Sequence, residues 1–195
     1  MVTDALRLLL QVAEILDRLE IRYSVGGSLA SGMHGELRAT NDIDVLIELP
    51  SEKIGTLLDA LRPAFDVWED TVRTSVTAGR SFSALHVAWH VKVDFFPAGH
   101  SPLDEQELRR RRAIRLPGDP DRDVWFASAE DIVLRKIDWF RRSGGTLERQ
   151  LRDVVGVLKL QGEQMDLGYV RARAHDLRLD DLLERCLADA GLGAA

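Results

Sequence analysis

The chain has 195 residues, of which 45% are hydrophobic and 30% charged, the composition of a globular protein whose core needs no disulfide or metal staple. Its net charge of −6, from 26 basic and 32 acidic side chains, argues against a general coat for nucleic acid, and no run approaches the roughly 20 apolar residues of a membrane helix. A single cysteine, Cys186, rules out an internal disulfide and a cysteine zinc cluster. The first apolar run follows Asp4 rather than a basic stretch and is broken by Gln11 and Glu14. It is therefore read as a helix face and not a signal peptide, and the chain is expected to be cytoplasmic.

In chain order, residues 3–19 predict a helix. Thr3 is its candidate N-cap, and Leu6, Leu9, Leu10, Ala13 and Leu16 recur at helical spacing. Residues 21–25 read as a short strand broken by Gly26 and Gly27, and Ser28 opens a short helix to about Met33 that Gly35 ends. Residues 42–48, Asp-Ile-Asp-Val-Leu-Ile-Glu, predict a strand with a buried middle. Ser51 is expected to cap a helix that stops before Pro63. Strand signals follow at 65–68, 81–87 and 90–96, with a turn near Ala88 and Trp89, while residues 69–80 carry no clear pattern. Residues 104–110 predict a short helix, and 112–116 and 123–126 a hairpin across Pro117-Gly118-Asp119-Pro120. Beyond Ser128 the pattern is helical, at 129–141, 147–161, 166–176 and 179–190. The sum is an α+β fold, a mixed β-sheet with flanking helices and a C-terminal helical part. It divides into a core, 1–127, and a helical region, 128–195.

Chemistry concentrates in three places. Gly26 and Gly27 end a strand and Ser28 begins a helix. Helix N-termini present unpaired N–H groups that favour phosphate, and glycine lets backbone approach a ligand. A plain turn with an N-cap is the competing reading. Asp42 and Asp44 stand two apart on a strand, so both carboxylates leave one face while Ile43, Val45 and Ile47 point toward a core. Like charges so close are destabilising without a cation, and hard oxygen donors suit Mg²⁺. The alternative, a charged edge strand, fits poorly with so apolar a run. Asp94 is the third acid, on a strand where Val91, Val93 and Phe95 share one face and Lys92, Asp94 and Phe96 the other. If the two strands are neighbours, three carboxylates converge, the layout of metal-assisted phosphoryl or nucleotidyl transfer.

Together these motifs resemble the signature of the DNA polymerase β-like nucleotidyltransferase superfamily: Gly-Gly-Ser, a spacer, Asp-x-Asp on a strand and a distant Asp on a later strand. The stretch from Val25 to Ile47 is most similar to the minimal bacterial members, among them the AbiEii-type toxins of type IV toxin–antitoxin systems. Residues 128–139 resemble that family's lysine helix, matched by Lys136, and residues 149–158 its Arg-Asp helix, matched by Arg152 and Asp153. The resemblance implies transfer of an NMP from an NTP to an acceptor hydroxyl, with pyrophosphate leaving. It implies that Gly26, Gly27 and Ser28 hold the triphosphate and that Asp42, Asp44 and Asp94 bind Mg²⁺ or Mn²⁺, Asp94 also acting as general base. Arg38 and Lys136 would face phosphate charge, with Arg152 and Asp153 supporting. For Lys136 and Asp153, an exposed salt bridge between helices is the competing reading.

The acceptor implied is a tRNA 3′ end with a cognate antitoxin as partner, a protein hydroxyl, or a small molecule such as an aminoglycoside. Outside enzymology, the alternatives are a degenerate member that senses nucleotide or binds a partner, and an antitoxin-like scaffold. The retained Asp42, Asp44 and Asp94 speak against the first, and the second predicts that these acids can be replaced without loss. The histidines, His34, His86, His90, His100 and His175, lack metal-ligand spacing and are assigned to surface or core. Arg109 to Arg112 read as a solvated helix end or a contact to a nucleic-acid backbone. The four tryptophans are expected to be buried, and Cys186 to fill the core.

Overall fold

The computed structural model describes residues 4–34, 42–116 and 122–193. The expected cap Thr3, the stop at Gly35, the phosphate contact Arg38 and the 117–120 turn lie outside the described residues. Two compact units emerge: Met1–Gly26 with Ala39–Ala127, and Gly27–Arg38 with Ser128–Ala195.

The first unit is built on a seven-stranded mixed sheet. Its strands are β1 (Tyr23–Val25), β2 (Asp42–Ile47), β3 (Phe65–Asp66), β4 (Phe82–His86), β5 (Lys92–Pro97), β6 (Arg112–Arg115) and β7 (Asp123–Phe126), in the order β3-β4-β5-β2-β1-β7-β6. β2 with β5 and β1 with β7 run parallel, and the other neighbours antiparallel. Period-two alternation decides the faces. Ile43, Val45, Ile47, Val93, Phe95, Phe82 and Ala84 are buried, whereas Asp42 and Ser83 are exposed and Asp44, Lys92 and Asp94 half-buried. α1 (Asp4–Arg18) buries Leu8, Leu9, Val12, Ala13, Ile15 and Leu16 and packs against β2 and against α3 (Ile54–Leu61). α5 (Asp104–Arg110) lies against β1. Asp104 orders the loop before it, accepting from the backbone N–H groups of Gly99, His100 and Ser101 with one carboxylate oxygen, each at 2.9 Å.

Three local expectations change. Ser51 caps nothing: the chain enters α3 through a 3₁₀ turn, Ser51–Lys53, with no side-chain cap. That turn is pinned instead by the Lys53 ammonium, which donates to the carbonyls of Leu19 and Glu20 at 2.8 and 2.9 Å. The patternless stretch 69–80 forms α4 (Glu69–Thr77), in which Val72 is the buried residue. One core residue in a helix of nine leaves no periodicity to read, although Glu69 and Arg73 pair at i, i+4 spacing at 2.9 Å. The tryptophans are not buried: Trp68 and Trp139 are exposed, Trp89 and Trp125 half-buried. Trp89 stacks on His86 and Trp125 lies under the Arg111 guanidinium, 4.7 Å from the ring centroid, so each uses one ring face and leaves an edge in water.

The second unit is helical: α2 (Gly27–His34), α6 (Ala129–Arg142), α7 (Glu148–Gln161), α8 (Leu167–Asp176) and α9 (Asp180–Asp189). Ser128 caps α6, accepting from Asp131 N at 3.2 Å and donating to the Asp131 carboxylate at 2.7 Å. The Tyr169 hydroxyl donates to the other Asp131 oxygen at 2.8 Å, tying α8 to α6. α6 packs on α7 and α8, and α7 on α9. α2 groups with these helices rather than with the 1–127 region, because its small buried residues Ala30, Ser31 and Gly32 let it approach α6 and α7. Cys186 is buried in α9, and burial pushes its thiol up to about 11, so it is an inert core filler. Among the described residues, no helix is long and apolar enough to cross a membrane.

Candidate active site

The parallel pairing of β2 with β5 places the acids. Its register sets Asp44 opposite Asp94 and Asp42 opposite Lys92. On the far side of β5, Ser83 of β4 is the register partner of Asp94. Asp94 therefore stands between Asp44 and Ser83, on the face turned away from the Ile43–Val93–Phe95 core. Both of its carboxylate oxygens are engaged. The Ser83 hydroxyl donates to Oδ1 at 2.5 Å, and the Lys92 ammonium donates to Oδ2 at 2.7 Å. The same ammonium lies 3.9 Å from Asp42 Oδ1. The hydrogen bond to Asp94 and the charges of Asp94, Asp42 and Asp44 hold the Lys92 pKa above its usual value, outweighing the opposing effect of burial. Lys92 and Ser83 are the two members of this cluster that the sequence reading did not select. Lys92 had a signal, its i, i+2 spacing from Asp94, whereas Ser83 is placed only by the β4–β5 register.

Backbone bonds fix where the glycine turn leaves the sheet. Gly26 N donates to Asp44 O at 2.9 Å, and Ala127 N donates to Val25 O at 2.9 Å. The end of β1 is thus held between β2 and β7 at the level of Asp44. Gly27 follows with φ of +59°, a left-handed conformation that a side chain would strain. Ser28 lies in the first turn of α2, and its carbonyl accepts from the Ser31 hydroxyl at 3.1 Å.

In the helical unit, Lys136 and Asp153 meet, but not as an exposed bridge. The Lys136 side chain is 6% accessible, and its ammonium donates to Asp153 Oδ2 at 2.7 Å and to Gln150 Oε1 at 3.1 Å. A buried ammonium needs this pairing, since an unpaired one is strongly disfavoured. Arg152, the neighbour of Asp153 on α7, is exposed.

The donor set near Asp94 bears on a metal. Among the described residues, no three His, Cys, Asp or Glu side chains are arranged to hold an ion, so there is no all-protein cage. A cation's place beside Asp94, within 4 Å of Asp42, is held by the Lys92 ammonium. Hard carboxylate oxygens, few in number and partly open to water, fit Mg²⁺, which takes one or two carboxylates and completes its shell with water and substrate phosphates.

Two arginines of the 109–112 run have separate partners: Arg109 pairs with Glu105 at 2.7 Å and Arg111 covers Trp125. His86 is buried against Phe65 and Trp89, and its Nδ1 accepts from Trp89 N at 3.2 Å. Burial lowers its pKa.

No protein-family model and no curated protein matches this chain. Solved structures do. An antigenic nucleotidyltransferase-like protein from Paracoccidioides brasiliensis aligns with a TM-score of 0.58 and 22% identity, over 97% of this chain and 94% of that one. The solution structure of the antibiotic-resistance factor ANT(2″)-Ia aligns with a TM-score of 0.58 and 17% identity, over 95% and 98% of the two chains. Crystalline ANT(2″)-Ia in complex with adenylyl-2″-tobramycin gives 0.53 and 16%, over 90% and 99%. At these identities the likeness is one of fold: the mixed sheet with its helices is the architecture of nucleotidyltransferase-like proteins.

Proposed function

We propose that this chain is a Mg²⁺-dependent nucleotidyltransferase that moves an NMP from an NTP to an acceptor hydroxyl. The observation that carries the reading is the register of β2 and β5, which pairs Asp44 with Asp94 and sets Asp42 one alternation away on the same face. Asp42, Asp44 and Asp94 are the acids from which the metal would take one or two carboxylates, with water and substrate phosphates completing its shell. When bound, it would neutralise triphosphate charge and make the acceptor hydroxyl more acidic. Gly26, Gly27 and Ser28 offer backbone N–H groups and a hydroxyl for the triphosphate, with Lys136 and Arg38 as further cations for it. Asp153 keeps Lys136 charged and oriented, and Arg152, exposed beside it, is assigned a supporting role. The catalytic core is assigned to residues 1–127 and the helical region to 128–195.

The chemistry assigned to this chain's residues is a single displacement. The acceptor oxygen forms a bond to the α-phosphorus, the bond from that phosphorus to the α–β bridging oxygen breaks, and pyrophosphate departs. The acceptor proton passes to Asp94. Ser83 holds Oδ1, so Oδ2, once clear of Lys92, is the basic atom.

The acceptor is best taken as a small hydroxylated molecule. Support comes from the arginine run, two of whose members, Arg109 and Arg111, engage Glu105 and Trp125, and from the length match to ANT(2″)-Ia. A tRNA end, with toxin function and an antitoxin partner, is the second reading, carried by the motif resemblance between Val25 and Ile47. Incubation with each α-³²P-labelled NTP and Mg²⁺ tests both, using aminoglycosides, total RNA and cell lysate as acceptors beside an Asp42→Ala/Asp44→Ala control. Label in a small product with wild type alone supports the first reading, and label in a tRNA-sized band the second. No label in any product contradicts both.

A further inference from the structure

Lys92 brings a positive charge into the acid cluster assigned above to a divalent cation. Its ammonium bonds Asp94 Oδ2 at 2.7 Å and lies 3.9 Å from Asp42 Oδ1. It reaches both acids because it alternates with Asp94 on β5 and is the register partner of Asp42 on β2. An ammonium and a divalent cation repel at this range, and both would draw on the same carboxylate oxygens. We propose that Lys92 is the resident counter-ion of the acid cluster, displaced only when a divalent cation arrives together with a nucleotide. This rests on the reading of Asp42, Asp44 and Asp94 as the metal site and adds the order in which that site fills.

Two consequences follow from the geometry. Without nucleotide the ammonium partly neutralises the acids, so the cluster is tolerable and its affinity for a metal is low. With nucleotide, the triphosphate supplies new negative charge for the ammonium, and Asp94 Oδ2 is released. Since Ser83 retains Oδ1, Oδ2 is the oxygen that the departing ammonium opens to the arriving cation.

The test is Mn²⁺ binding, read as loss of the free-ion electron paramagnetic resonance signal, with and without a non-hydrolysable ATP analogue. Lys92→Met keeps the alkyl stem and removes the charge. It is expected to tighten nucleotide-free Mn²⁺ binding by at least about fivefold, the factor that corresponds to two unit charges about 4 Å apart in water, since a divalent ion feels about twice that energy. It should also shrink the gain that nucleotide gives. Lys92→Arg, which keeps the charge, should stay near wild type. Unchanged Mn²⁺ affinity in Lys92→Met, with binding still lost in Asp44→Asn, overturns the proposal and leaves the metal site standing. Absence of Mn²⁺ binding in every protein, with or without nucleotide, overturns the metal site and the proposal together. A measurement on the wild type does not depend on any variant folding. The chain has four lysines, so the side-chain ¹⁵Nζ spectrum isolates Lys92. Its signal should move on adding Mg²⁺ with the analogue and hold still with Mg²⁺ alone, and a signal unmoved by both overturns the displacement.

Discussion

Asp44 and Asp94 face each other across the parallel pair of β2 and β5. Two carboxylates in that relation repel, and the Lys92 ammonium beside Asp94 offsets this in part. Asp44→Asn should therefore leave the unliganded protein as stable as wild type, or more stable by up to about 1 kcal/mol, in urea titrations. Nucleotide transfer should fall at least about 100-fold, because even residues behind a metal's direct ligands cost 10- to 100-fold.

Ser83 holds Asp94 Oδ1 at 2.5 Å from a neighbouring strand. Its removal frees that oxygen to rotate but leaves the acid present. Ser83→Ala is expected to lower kcat about tenfold with KM for the NTP nearly unchanged. Stability should shift by less than about 1 kcal/mol, because Ser83 is exposed. Steady-state kinetics beside thermal denaturation separate the two effects.

The Lys136–Asp153 pair behaves differently because it is buried. Asp153→Ala strands a buried ammonium and should destabilise by about 3 kcal/mol, a fall in Tm of about 6–12 °C for a chain of this size. The double replacement Lys136→Met/Asp153→Leu removes both charges and should recover most of that loss. A recovered fold with transfer still absent would assign Lys136 to the triphosphate as well as to the helix pair.

His86 gives a pH signature. Burial between Phe65 and Trp89 lowers its pKa below the ordinary value of 6.5. Below pH 6.5 the unfolded chain takes up a proton at this site that the folded chain resists, so unfolding becomes more favourable. The stability present above pH 6.5 should thus fall as pH drops from 6.5 toward the lowered folded-state pKa. His86→Asn should start from a lower baseline, having lost the ring stack, but show a shallower fall between pH 6.5 and 5. Urea midpoints across that range read the slope directly.

The α+β class and the face that each acid takes were legible because period-two burial is written into Asp-Ile-Asp-Val-Leu-Ile and Val-Lys-Val-Asp-Phe-Phe. That these two strands are neighbours was not legible. Pairing is a non-local property, and the β4–β5 register that brings Ser83 to Asp94 leaves no trace in local sequence. Lys92 stood in plain view on the right face, but its meaning depended on Asp42 lying opposite. α4 was hidden because one buried residue sets no period. The burial of Lys136 was missed because α6 and α7 carry charges that suit an exposed face equally well, and only their packing closes over the ammonium.

Asp42 and Asp44 are proposed as the site for a divalent cation carrying a nucleotide. That assignment is tested most directly by thermal denaturation of wild type and Asp42→Asn/Asp44→Asn, with and without Mg²⁺ and a non-hydrolysable NTP analogue. At about 100 times the dissociation constant, a ligand bound only by the folded state contributes about 2.7 kcal/mol, which raises Tm by about 5–11 °C. That rise is expected for wild type with both ligands present, and is expected to be absent from a variant that melts cooperatively at or above the unliganded wild-type temperature. An equal rise in the variant, or a variant that fails to fold, would contradict it, because the acids would then be dispensable for the ligand or needed only for the structure.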